Sequence, residues 1–142
     1  MITIKEAKTK KELTEYIKFP FSLYQNHPYW VPPLISDELE TFDKTKNPAF
    51  TSAEAYFYLA YKDDKIVGRI AAIINWDEVN KQQKKKVRFG WWDVIDDVEV
   101  TKALLALDAQ AKVLIDRAQN RVQVDSEKNR DALVQAIAEE GY

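Results

Sequence analysis

The chain has 142 residues, a length that fits one domain able to bury roughly 68% of its unfolded surface. Hydrophobic residues make up 46% and charged residues 31%, which is typical of a globular protein and too apolar for a disordered one. The net charge of -2 gives no electrostatic basis for binding nucleic acid, so we expect no nucleic-acid partner. The absence of cysteine and the single histidine, His27, exclude disulfides, a cysteine nucleophile and multi-histidine metal sites, and we expect no metal.

The distribution of hydrophobic residues predicts where in the cell the protein is located. Residues 1–13 alternate between apolar and polar side chains and do not form the apolar centre of a signal peptide. No run approaches the ~20 apolar residues that a membrane span needs. These features predict a cytoplasmic protein without a membrane partner.

The first third of the chain predicts a strand, a helix and an aromatic connector. Hydrophobicity alternates over 2–8, as in a short strand. Thr9 and Glu12 have the spacing of a capping box, in which each side chain bonds to the backbone N–H of the other, and they begin a helix. Pro20 is expected to end or kink that helix. The segment FPFSLYQNHPYWVPPL is rich in prolines and aromatic rings, so we expect a packed connector there.

A second helix and a hairpin are predicted next. Ser36, followed by two acidic residues, indicates a helix start, and Asn47 with Pro48 is expected to stop this helix. Residues 55–61 and 66–75 are rich in β-branched and aromatic residues and flank a four-residue polar turn. This is the clearest hairpin in the sequence.

The next segment predicts another strand and a long helix. Residues 77–86 form a polar excursion, and 87–95 are a strand candidate. Asp96 and Glu99 have the capping-box spacing ahead of a long helix. In this helix the apolar residues recur every three or four positions over 100–118.

A short strand over 121–124 and a helix over 129–140 complete the predicted order β-α-α-β-β-β-α-β-α. This order indicates an α/β fold of the α+β type, with a mixed, mostly antiparallel sheet flanked by helices. The strand–helix–strand piece from 87 to 124 would be a right-handed crossover between parallel strands.

These segments resemble the GNAT superfamily of N-acetyltransferases. The hairpin AYFYLAYKDDKIVGRIAAIIN is similar to its second and third strands, and VRFGWWDVIDDVEVTKALLALDAQAKVLIDRA to its fourth strand and the next helix. VQVDSEKNRDALVQAIAEEGY is similar to its fifth strand and following helix. NHPYWVPPLISDELETFDKTKNPAF and RFGWWDVIDD also resemble the opening of longer bacterial GNAT-like proteins. The resemblance implies a single GNAT-like domain over 1–142 that lacks the last two strands of the family fold and is incomplete at its C-terminus.

The resemblance also implies an activity, the transfer of an acyl group from acetyl-CoA or another acyl-CoA to a small-molecule amine or a peptide. In the family, backbone N–H groups of a splayed fourth strand hold the thioester carbonyl, and the following helix binds the pyrophosphate at its N-terminus. Carried onto this sequence, the cofactor-binding positions are Trp92, Asp93, Val94, Asp97, Val98, Glu99 and Asn129. Asp93 is also the candidate catalytic or acceptor-binding carboxylate. The competing interpretations are a solvated strand end for Asp93, which we favour, and a plain helix N-cap for Asn129.

The pyrophosphate loop departs from the family pattern, which is typically Q/R-x-x-G-x-G/A. Here it reads Ile95-Asp96-Asp97-Val98-Glu99, without glycine and with three carboxylates. Acidic side chains at a helix start are good caps, and as caps they occupy the N–H donors and repel a diphosphate. We therefore expect capping rather than pyrophosphate binding. The position of the family tyrosine that protonates the leaving thiolate is Ile137 here.

The alternative function is a non-catalytic GNAT-derived module that acts through self-association or partner binding. An unfinished sheet exposes an edge that can pair with another chain, which predicts a homodimer. A third alternative is a shortened or redesigned chain without native activity.

Several side chains keep two interpretations. Trp91 and Trp92 should lie on opposite faces of their strand, one in the core and the other lining a groove. Tyr29 and Trp30 either contact a substrate or, as we favour, pack the connector. The basic run of Lys81, Lys84, Lys85, Lys86 and Arg88 is either an anion site or a solvated loop, and we favour the loop.

Overall fold

A computed structural model of the protein describes residues 1–83 and 86–107. Over these residues the chain forms a four-stranded antiparallel sheet in the order β1-β2-β3-β4, with helices packed against it. The strands are β1 (Ile2–Glu6), β2 (Ala53–Lys62), β3 (Lys65–Asn75) and β4 (Arg88–Val94). The helices are α1 (Lys10–Leu23), α2 (Ile35–Phe42), α3 (Trp76–Lys81) and α4 (Val98–Leu105), with a short 3-10 helix at Pro48–Thr51. The predicted α/β class is confirmed, whereas the predicted strand 121–124 and helix 129–140 lie outside the described residues.

The β2–β3 hairpin forms the centre of the sheet. Lys62 pairs with Lys65, which leaves Asp63 and Asp64 as a two-residue loop. Their φ angles of 50° and 62° lie in the left-handed region, as a type I′ turn requires. The predicted hairpin is confirmed, with a turn two residues tighter than expected.

One face of the sheet is covered by α1 and α2. These helices bury a set of large apolar side chains against β2, and several of the rings meet edge to face. The members at the centre of this cluster are Tyr16, Ile17, Phe42, Phe57 and Leu59. Burying such side chains contributes roughly 1.5–3 kcal/mol each, so this cluster holds the two helices to the sheet.

The opposite face of the sheet is covered by α4. Val100 and Leu104 are fully buried there and pack with Ile70 of β3. Gly68 lies directly beneath the helix, and a Cβ at this position would lie 3.0 Å from Leu104 Cδ1 and 3.1 Å from Val100 Cγ1. The missing side chain of Gly68 therefore sets how closely α4 approaches the sheet.

Helix α1 has its predicted start and continues past Pro20, which was expected to end or kink it. Thr9 Oγ1 accepts from the backbone N–H of Glu12 at 3.2 Å, and Glu12 Oε2 accepts from that of Thr9 at 2.9 Å, so the predicted capping box is present. Pro20 does not end the helix, which continues to Leu23. Proline removes only one helical hydrogen bond, and the Arg69 side chain of β3 replaces the missing donor.

The boundaries of α2 differ from prediction. Leu34 is the N-cap residue and Ser36 lies inside the helix, so Ser36 is not the start signal that its residue type suggested. The helix ends at Phe42, before the Asn47-Pro48 pair. Asn47 instead begins the 3-10 helix, where its side chain accepts from the N–H of Ala49.

The polar segment 77–86 is helical at its start, which the sequence analysis missed. Asn75 caps α3 by accepting from the N–H groups of Asp77 and Glu78 at 3.0 Å and 3.3 Å, and Val79 is buried beneath the helix. Within the described ranges, no helix is both long and apolar enough to cross a bilayer.

Candidate functional site

Strand β4 carries a bulge at its two tryptophans. Arg69 of β3 pairs with Asp93, and the residue two positions further along β3 pairs with Gly90. One residue of β3 therefore faces two residues of β4, Trp91 and Trp92. Trp91 has a φ of 46°, in the left-handed region that a bulky residue rarely adopts. Such a bulge bends the strand and leaves the extra residue outside the regular hydrogen-bond ladder.

The two tryptophans lie on opposite faces of the sheet, as predicted. Trp91 is 38% exposed and meets the ring of Phe42 edge to face at 5.2 Å, on the α2 side. Trp92 packs into the α4-side cluster with Ile70 and Val100. Its Nε1 is buried and has no hydrogen-bond acceptor among the described residues. Leaving such a donor unpaired costs about 1–3 kcal/mol.

Asp93 lies in a polar cluster rather than in solvent. Its Oδ2 accepts from Arg69 Nε at 2.8 Å, and its Oδ1 accepts from the Tyr24 hydroxyl at 2.6 Å. The side chains of Arg69 and Asp93 are only 9% and 17% exposed. The favoured interpretation of Asp93 as a solvated strand end is therefore wrong. Both carboxylate oxygens are engaged, which suits Asp93 to holding other groups in place.

Arg69 also completes helix α1. Since Pro20 has no N–H, the carbonyl of Tyr16 lacks its usual helical donor. Arg69 Nη1 donates to this carbonyl at 3.0 Å, and the guanidinium lies 5.0 Å from the Tyr16 ring centroid. Arg69 is the buried charged residue of the described part, and sequence reasoning missed it. The available signal was one charge inside the apolar run IVGRIAAIIN.

The hydroxyls around this cluster are held in the neutral form. The hydrogen bond to Asp93, with burial, raises the pKa of Tyr24 to about 12. Burial raises the pKa of the Tyr16 hydroxyl far above its usual range. Tyrosine is protonated at neutral pH in any case, and the raised pKa values keep both hydroxyls protonated at higher pH, so Tyr24 acts as a donor to Asp93.

The acidic loop caps α4 through Asp97, not through Asp96 as predicted. Asp97 Oδ1 accepts from the backbone N–H of Glu99 at 2.9 Å, and Oδ2 pairs with Lys62 Nζ at 2.9 Å. The hydrogen bond from Lys62, followed by that from the Glu99 amide, lowers the pKa of Asp97. The pKa of Lys62 is raised by the same contact. One of the free amides of the helix N-terminus is thus already occupied by a carboxylate.

In the connector between α1 and α2, Trp30 is packed and Tyr29 is exposed. Trp30 meets Phe21 edge to face at 5.3 Å and lies tilted over Tyr24 at 5.7 Å. The favoured interpretation as connector packing holds for Trp30. Tyr29 departs from it, because its side chain is exposed.

The basic run is largely paired where it is described. Lys81 Nζ lies 2.9 Å from Asp77, and Arg88 Nε donates to Glu78 at 3.1 Å. Lys84 and Lys85 lie outside the described residues. Within residues 1–83 and 86–107, no group of three or more histidine, aspartate or glutamate side chains is placed to hold a metal ion.

A groove of about 750 Å³ lies between β1, β2 and the helices α1 and α2. Its apolar floor includes Leu13, Leu39, Phe42 and Phe57. Two of the rim lysines are paired within the chain, Lys8 with Glu6 at 3.2 Å and Lys46 with Glu40 at 3.4 Å. None of the predicted cofactor-binding residues is among the described residues that line it. The predicted cofactor-binding residues therefore do not open into this groove, although Phe42 of its floor also contacts Trp91.

Comparisons with known proteins give two distant relatives. No family model matches the chain, and no solved structure does. The chain is 38% identical over 95 residues to protein YghO of Escherichia coli (strain K12), an alignment covering 67% of this chain and 24% of YghO. It is 32% identical over 74 residues to bacterial ceramide synthase of Caulobacter vibrioides (strain NA1000 / CB15N), covering 52% of this chain and 19% of that protein. The chain thus spans at most about a quarter of these relatives, one of which has an acyltransferase-type name.

Proposed function

We propose that this chain forms the acyl-CoA-binding part of a GNAT-type N-acyltransferase whose acceptor is a long-chain amine. The observation that carries the proposal is the bulge at Trp91 and Trp92, followed directly by the N-terminus of α4. The similarity to a bacterial ceramide synthase supports the acceptor class, since a ceramide is an N-acylated long-chain amine. In the reaction, the amine nitrogen attacks the thioester carbonyl, a C–N bond forms and the C–S bond breaks, and the proton that the nitrogen loses balances the one that the leaving thiolate takes up.

The bulge supports this function because acyl transfer needs donors for the carbonyl oxygen. That oxygen gains negative charge in the transition state, and fixed N–H groups stabilise it best. The bulge takes backbone groups of Trp91 out of the regular ladder. The buried Nε1 of Trp92 adds a side-chain donor without an acceptor in the described part of the chain. Asp93, with both oxygens engaged, acts in this proposal as a positioning residue for Tyr24.

The contacts of Asp97 favour a second candidate function, the non-catalytic module. Asp97 takes the Glu99 amide and pairs with Lys62, so the helix terminus that would hold a pyrophosphate carries a carboxylate. In this alternative the fold is kept while acyl-CoA binding is lost, and the protein works by association.

Thermal unfolding with acetyl-CoA, octanoyl-CoA and free CoA tests the proposal. We expect both acyl-CoA ligands to raise Tm, since a ligand at ~100 times its Kd adds about 2.7 kcal/mol of stability. The Trp92→Phe variant should lose part of the acyl-CoA shift and keep the free CoA shift, because free CoA lacks the thioester carbonyl that Trp92 is proposed to hold. The ligand-free Tm of this variant serves as the folding control.

A double variant, Asp96→Gly with Asp97→Gly, separates the two candidates. Glycine in place of an N-cap costs only a few tenths of a kcal/mol, so the variant should remain folded. A larger ligand shift in the variant than in the parent indicates that the acidic loop weakens binding. A shift in the variant alone favours the non-catalytic module. No shift in either protein contradicts acyl-CoA binding at this site.

A further inference from the structure

We infer that an exposed apolar tip between α1 and α2, formed by Tyr29, Val31 and Leu34, binds the surface of a lipid bilayer. The inference rests on the proposed function in one respect, because it places the protein at the bilayer surface, where the proposed long-chain amine acceptor would be bound. The exposure and composition of this surface do not depend on that function, and its test does not require catalysis.

The tip concentrates exposed apolar side chains. Tyr29, Val31 and Leu34 are 88%, 82% and 68% exposed. They are three of the six large hydrophobic side chains that are exposed in the described part of the chain, and they lie within six residues of one another. Single exposed apolar residues are ordinary, whereas several on one short segment indicate a contact surface.

The tip lacks the charges that a protein surface usually carries. Residues 19–36 contain no lysine, arginine, aspartate or glutamate, although 31% of the whole chain is charged. Placing a charge in the apolar part of a bilayer is costly, while tyrosine and tryptophan favour the membrane–water interface. An uncharged tip with these aromatic residues therefore matches a lipid surface.

The size of the tip also favours lipid over a protein partner. A large side chain buries roughly 150–250 Å², so three such side chains fall short of the roughly 800 Å² that each partner buries in a stable protein interface. Insertion into a bilayer needs no complementary surface, and each inserted side chain contributes independently.

The tip is held in place before any contact forms. Pro28, Pro32 and Pro33 fix the backbone around it, and Trp30 anchors it on Phe21 and Tyr24. Binding therefore loses little conformational entropy.

The position of the tip connects it to the polar cluster. Trp30 lies over Tyr24, whose hydroxyl donates to Asp93 beside the β4 bulge. An amine with a long chain keeps its tail in the bilayer and its nitrogen at the headgroup level, near this cluster. The absence of an apolar span predicted no membrane partner, but a surface contact needs no span.

Flotation with neutral phosphatidylcholine vesicles, at low and high salt, tests the inference. We expect the 142-residue chain to bind with little salt dependence. The triple variant Tyr29→Ser, Val31→Ser, Leu34→Ser should bind on the order of 100-fold more weakly. Serine is a favoured N-cap residue, so Leu34→Ser should preserve α2. Val98→Ser removes an aliphatic side chain that is 63% exposed on the α4 helix, across the sheet from the tip, and should bind vesicles as the parent does.

Three results would overturn the inference. The first is that the parent does not bind vesicles. The second is that the triple variant binds like the parent while circular dichroism shows both folded. The third is that binding requires anionic lipid and disappears at high salt. Sedimentation without lipid tests whether a second copy of the chain occupies the tip instead. A dimer that the parent forms and the triple variant does not would assign the tip to that second copy. Acyl-CoA thermal shifts are read separately, so a chain that binds acyl-CoA and ignores vesicles refutes the tip without refuting the proposed function.

Discussion

Tyr24 is the residue whose ionisation reports most directly on the candidate site. Its hydroxyl donates to Asp93 at 2.6 Å, and this bond is lost when the phenol ionises. Asp93 in turn is held by Arg69. The protonation of the Tyr24 hydroxyl is thus coupled to the largely buried Arg69–Asp93 ion pair next to the β4 bulge.

We predict an alkaline loss of stability that depends on Tyr24. Its pKa is raised from 10.0 to about 12 in the folded state, so the contribution of this bond is complete below about pH 10 and is lost as pH rises through about 12. Urea unfolding across this range should show a steeper decline for the parent than for Tyr24→Phe. Tyr29→Phe is the control, since Tyr29 is exposed. Parallel pH profiles for the parent and Tyr24→Phe would contradict the assignment.

At the scale of elements, α1 and β3 depend on each other through one side chain. Pro20 leaves the Tyr16 carbonyl without a donor inside the helix, and Arg69 of β3 supplies one at 3.0 Å. The same guanidinium neutralises Asp93 of β4. A helix and two strands therefore share a single buried cation.

We predict that Arg69→Met lowers the free energy of unfolding by about 3 kcal/mol, because it leaves a largely buried carboxylate and a helix carbonyl without partners. In a Pro20→Ala background the same substitution should cost about 1 kcal/mol less, since the amide restored at position 20 can bond to the Tyr16 carbonyl. Urea unfolding of the four proteins gives this coupling as a double-mutant cycle. Strictly additive effects would show that Pro20 and Arg69 do not share the carbonyl.

At the scale of the whole molecule, the two candidate functions differ in association. Within the described residues, β1 and β4 are the outer strands of the sheet, and an open outer edge can pair with another chain. The non-catalytic module therefore predicts a homodimer, whereas acyl-CoA binding at the β4–α4 junction needs no second copy.

Sedimentation velocity over a wide range of protein concentration tests this difference. The module predicts a dimer whose fraction rises with concentration, and the triple tip variant should dimerise equally, because the edge is distinct from the tip. A monomer at all concentrations contradicts self-association by the module. A dimer that the tip variant loses contradicts edge pairing.

Local chemistry in the sequence was sufficient for the elements that depend on near neighbours. The Thr9–Glu12 box and the acidic start of α4 could be predicted because their side chains bond to backbone three or fewer residues away. The β2–β3 hairpin could be predicted because both of its strands are rich in β-branched and aromatic residues. The strand over 87–95 was also predicted from the sequence, although its bulge was not. The cap of α4 moved by one residue for the same local reason, since adjacent aspartates are equivalent as sequence signals.

Only the tertiary structure decided the candidate site. Pro20 was expected to end or kink a helix, and the helix continues past it, where Arg69, 49 positions away, replaces the missing donor. Asp93 was expected in solvent, and it is held by residues from β3 and from the end of α1. Tyr29 was expected to pack, and it is exposed while Trp30 beside it is the anchor. Sequence patterns predict the hydrogen bonds within an element, but burial and ion pairing depend on which distant groups the folded sheet brings together.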